Sequence, residues 1–63
     1  MCLSTVYKNA KTPDAIAMKN VMSLECKDGC VILTDLMERS VVIEGYLVSA
    51  NLVDGFVIVQ ETA

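Results

Sequence analysis

Sixty-three residues carry five basic and eight acidic side chains, no histidine and a 54% hydrophobic composition. A chain of this length holds one domain with a marginal core, so residues 1–63 read as a single small β domain whose stability calls for a disulfide, a metal or, most simply, a second copy of the chain. The net charge of −3, two Tyr, one Phe and no Trp speak against a nucleic-acid surface, which needs cations for phosphates and rings for stacking. Missing imidazole removes the commonest general base, so an enzyme is not expected.

In chain order, the first β-rich run is Leu3 to Lys8. The polar stretch Asn9 to Asp14 holds the single proline, Pro13, and reads as a loop. Asp14 to Met18 has room for about one helical turn before Asn20 and is expected to be irregular. Five further β-rich runs follow: Val21 to Cys26, Cys30 to Thr34, Ser40 to Glu44, Tyr46 to Val53 and Phe56 to Gln60. Six short runs with turn signals at this spacing predict an all-β fold, a small barrel or open sandwich of about six short antiparallel strands.

Asp28-Gly29 and Asp54-Gly55 are the dipeptides that supply two positive φ angles to a type I′ hairpin turn. With Asp28 and Gly29 as the two turn residues, Lys27 pairs with Cys30 and Cys26 with Val31. One face then holds Met22, Leu24, Cys26, Val31 and Leu33, and the other holds Ser23, Glu25, Lys27, Cys30, Ile32 and Thr34. The apolar set is the expected core face, with Cys26 a small core hydrophobe. Cys26 and Cys30 point to opposite sides in this register. A three-residue loop would instead set them side by side, able to form a disulfide or clasp a soft metal.

The same arithmetic at Asp54-Gly55 predicts a core face of Val48, Ala50, Leu52, Val57 and Val59. The outer face then gathers Val53, Phe56 and Ile58 into an apolar patch that either a partner or the barrel's own end must cover. Met18, Met22 and Met37 read as core filler. Asp35, Glu38 and Arg39 read as a solvated turn, and Glu25, Glu44 and Glu61 are scattered without the spacing of an acid–base pair. No basic stretch followed by an apolar run stands at the start, and the longest aliphatic or aromatic run, Phe56 to Val59, is short. A cytoplasmic chain with no membrane segment is expected, and its three cysteines, an odd number, are expected to be reduced thiols.

The chemistry concentrates at Cys2. Methionine aminopeptidase removes Met1 when the second side chain is small, so the mature chain is expected to begin with the free amine of Cys2. That amine and the thiolate close a five-membered chelate, and the Leu3 backbone nitrogen can join if it deprotonates. Such N,S donors suit square-planar Ni(II) or Cu(II) and disfavour Mg or Ca. Both donors must lose protons, so binding is expected to depend on pH. One chain offers too few ligands for a closed site, whereas two chains related by a twofold axis offer four.

The start Met1-Cys2-Leu3-Ser4-Thr5-Val6-Tyr7 is followed by Glu25-Cys26-Lys27-Asp28-Gly29-Cys30-Val31-Ile32-Leu33-Thr34-Asp35-Leu36. Then come Val42-Ile43-Glu44-Gly45 and Asp54-Gly55-Phe56-Val57-Ile58-Val59. These blocks, in this order and over nearly the whole length, resemble the CooT family of short cytosolic nickel-binding proteins associated with carbon monoxide dehydrogenase maturation. The resemblance implies a small dimeric β protein that handles Ni(II) through Cys2, with carbon monoxide dehydrogenase or its maturation factors as partners. Leu3 and Val6 are expected to anchor the strand that carries the ligand. Two departures are Met37-Glu38-Arg39, where a Gly-containing turn is expected, and Ser49-Ala50-Asn51, where an acidic residue before the leucine is common. A second resemblance by its opening is to the HypC family of hydrogenase maturation chaperones, which use the same cysteine on iron and on a partner protein. That family continues into a proline that Ser4-Thr5-Val6 lacks. Related short proteins also carry a general RNA-binding label, which predicts a basic groove; Lys8, Lys11, Lys19, Lys27 and Arg39 are instead spread along the chain.

Overall fold

The computed structural model describes residues 3–62. Five strands, β1 (Ser4–Lys8), β2 (Ile16–Lys27), β3 (Cys30–Asp35), β4 (Ser40–Asn51) and β5 (Phe56–Glu61), form a closed barrel in chain order. Each consecutive pair is antiparallel. The ring closes where β1 runs parallel to β5, with Val6 opposite Val57 and Lys8 opposite Val59.

The small all-β barrel expected from the sequence is therefore present, built from five strands where about six short ones were expected. Two 12-residue strands each serve two neighbours. In β2, Ile16 to Val21 pairs with β1 and Val21 to Lys27 with β3; in β4, Ser40 to Glu44 pairs with β3 and Gly45 to Asn51 with β5. Splitting one strand between two ladders lets a short chain close a ring and leave few open edges. Gly45 marks the change of partner and is why the runs on either side of it form one strand. It is buried, and a Cβ there would collide with the carbonyl oxygen of Gln60, so β4 and β5 meet at a distance only glycine permits.

The barrel interior is filled by Val6, Val21, Val31, Leu33, Ile43, Val57 and Val59, with Ala17, Met18 and Leu24 packed against them. Every strand contributes to this core. Each fully buried aliphatic side chain contributes roughly 1.5–3 kcal/mol before chain entropy is set against it, so seven such residues make a small core with little to spare.

Four sequence expectations change. The segment placed outside regular structure divides into a 3-10 turn at Pro13–Ala15 and the first residues of β2, which starts at Ile16. Proline at the turn's first position supplies the fixed φ, and pairing of Ile16 with Tyr7 and Met18 with Val6 draws the next residues into the sheet.

The first hairpin has the predicted register, Lys27 opposite Cys30 and Cys26 opposite Val31, with Asp28 and Gly29 at φ 52° and 76°. Its predicted core face is only half right. Val31 and Leu33 are buried, but Met22 and Cys26 are exposed and Val21 is buried instead. Asn20 at φ 56° and a register shift between Val21 and Ser23 reset the alternation, as a bulge does. Cys26 lies past Val21, where pairing with β1 stops, so no wall covers it.

At the second hairpin Asn51, not Val53, pairs with Phe56. The turn spans four residues, and of the Asp54-Gly55 pair only Gly55 has positive φ (78°). The side-chain oxygen of Asn51 accepts from the backbone N–H groups of Val53 (3.1 Å) and Asp54 (2.9 Å), and its amide donates to the Asp54 carboxylate (3.0 Å). A side chain that satisfies turn amides in this way stabilises the longer loop. With a further shift between Leu47 and Ser49, Val48, Ala50 and Leu52 leave the predicted core for the surface, while Val57 and Val59 stay inside.

The fourth change concerns Asp35, expected in a solvated turn. It is 3% exposed, and its carboxylate accepts from the backbone N–H groups of Met37 and Arg39 and from the Arg39 guanidinium, each at 2.9 Å.

Candidate functional site

The geometry that bears on the N-terminal chemistry starts at β1. Val6 is fully buried and Leu3 half-buried, and Thr5 donates its N–H to the Gly55 carbonyl (2.9 Å). The Leu3 carbonyl lies so close to Gly55 that a Cβ there would stand 3.3 Å from it. The first described residue is thus held against the β4–β5 turn, residues 52–55. Cys2, the predicted ligand, lies outside the described residues.

Beside this anchor the barrel opens into a groove of about 220 Å³ lined by Ser4, Val21, Met22, Leu24, Leu52 and Val57, with Ser23 at its edge. Several of its apolar groups face solvent. Met22 is 46% exposed and Leu52 72%, and Val53, next along the turn, is 95% exposed. The predicted patch of Val53, Phe56 and Ile58 is accordingly divided. Phe56 and Ile58 are half-buried on the outward side of β5, opposite Thr5 and Tyr7, and the Lys11 ammonium sits 4.2 Å from the Phe56 ring centre. Val53 alone stays open.

Cys26 and Cys30 are both free thiols, the first exposed and the second half-buried. Their two-residue turn sends them to opposite faces, so the side-by-side pair that a longer loop would have made is not formed. Cys30 lies in a cross-strand row between Lys27 and Glu44. Met18 packs on the core, as its reading as filler implies, whereas Met22 and Met37 are exposed. Among the described residues no group of three His, Cys, Asp or Glu is placed to hold a metal ion.

Three of the five cations are engaged within the fold: Lys8 with Glu61 (3.8 Å), Arg39 with Asp35 (2.9 Å) and Lys11 over Phe56. The Arg39 backbone N–H, then the Arg39 guanidinium and the Met37 N–H, hold the Asp35 carboxyl below the usual carboxylate range against the opposing effect of dehydration. This buried turn anchor was missed in the sequence. The signal was there, because an Asp followed two residues on by a free backbone N–H is an Asx turn. The exposed mouth formed by Met22 and Leu52 was missed as well; both shifts in register that create it depend on backbone angles that the residue pattern does not display.

No helix of the described residues is long and apolar enough to cross a membrane. The family model described as CO dehydrogenase accessory protein CooT matches residues 1–60 of the chain. No curated protein matches it.

Proposed function

The chain belongs to the CooT family of CO dehydrogenase accessory proteins, and from that premise we propose that it is a cytoplasmic nickel-handling protein, with Cys2 as ligand and a homodimer as the working unit. Nickel is cargo in this reading, to be passed on toward carbon monoxide dehydrogenase, and the chain catalyses no reaction.

The observation that carries the proposal is the anchored start of β1. Burial of Val6 and the Thr5-to-Gly55 hydrogen bond fix the chain three to four residues beyond the proposed ligand, which supports a ligand carried a short way from a rigid wall. The Cys2 thiolate and α-amine would hold the ion, and deprotonation of both makes uptake rise with pH through the range of the thiol and amine, about 8 to 8.5 in free groups. Two donors per chain leave a four-coordinate site half filled, which is what favours two chains per ion. The free cysteines at the first hairpin add nothing to that set, since they face opposite ways.

Native mass spectrometry of the Met1-free chain, with and without one Ni(II) per two chains and beside Cys2→Ser, tests the reading. A dimer with one nickel in the wild type and none in the variant is expected. Absence of uptake by the processed wild type would remove the nickel reading and leave a partner-binding chaperone role to be pursued by pull-down.

A further inference from the structure

We draw no further inference here: the strongest candidate, the stretch of β4 from Tyr46 to Asn51, which among the described residues pairs along one edge only, with β5, and leaves Tyr46, Leu47 and Val48 exposed, is an unpartnered strand edge, and nothing in the structure shows what covers it.

Discussion

The two Asp-Gly hairpins of this barrel share a dipeptide and differ in almost everything else. At Asp28-Gly29 both residues adopt positive φ and a two-residue turn joins β2 to β3 in the register that the sequence predicts. At Asp54-Gly55 only the glycine does, and the preceding Asn51 spreads the turn over four residues by accepting two backbone amides. A competing side chain three positions upstream is enough to change the turn class. It also changes what the turn exposes. The first hairpin ends in Lys27, Asp28 and Gly29, which blunt an exposed tip, whereas the second carries Leu52 and Val53 into solvent beside the N-terminal strand.

The contrast is tested most severely at the glycines. Gly45 lets the second hairpin's strands approach at Gln60, and Gly45→Ala must displace backbone. It should cost about 2–3 kcal/mol by overpacking, a large part of the roughly 3–9 kcal/mol expected for a domain of this length. Gly29 has open space around it, so Gly29→Ala should cost only the strain of φ 76°, about 1–2 kcal/mol. Urea unfolding of the two variants side by side measures the difference.

The turn between β3 and β4 adds a pH-dependent version of the same comparison. The Asp35 carboxyl is held below its ordinary value in the folded chain, so its stabilising effect is present above the unfolded value of about 3.9 and is lost as pH falls through the folded one. Asp35→Asn should lower Tm at pH 7 and show little further loss on acidification to pH 3, whereas the wild type loses stability steadily over that range. Scanning calorimetry at several pH values reads both slopes.

A smaller effect separates the residues that precede the two turns. Asn51→Ala removes the acceptor for Val53 and Asp54 and should cost about 1 kcal/mol. Lys27→Ala, at the first hairpin, should change stability by less than about 0.5 kcal/mol. Thermal melts of the pair suffice to check it.

These differences show what the sequence made legible. The all-β barrel class, the first hairpin's register and the burial of Val31, Leu33, Val57 and Val59 follow from β-branched runs and turn chemistry, which are local. What escaped were features set by neighbours distant in the chain. The continuity of β4 through Gly45 depends on Gln60, the exposure of Met22 and Val48 depends on register shifts at Val21 and Leu47, and that of Cys26 on where pairing with β1 ends. Asp35 was readable in principle, as an Asx turn, but its burial needs the sheet around it. For the candidate site, residue chemistry and family resemblance singled out Cys2, which lies outside the described residues; the structure adds that Thr5 and Val6 are fixed against the β4–β5 turn and the core.

The account turns on that N-terminal amine and thiolate, so the most direct measurement is nickel affinity by competition with a chromophoric chelator, comparing the Met1-free chain with one that retains Met1. The chelate predicts one ion per two processed chains and binding at least tenfold weaker when Met1 blocks the amine, with Cys2→Ser showing none. Equal affinity in all three would contradict it and place the ligands elsewhere in the chain.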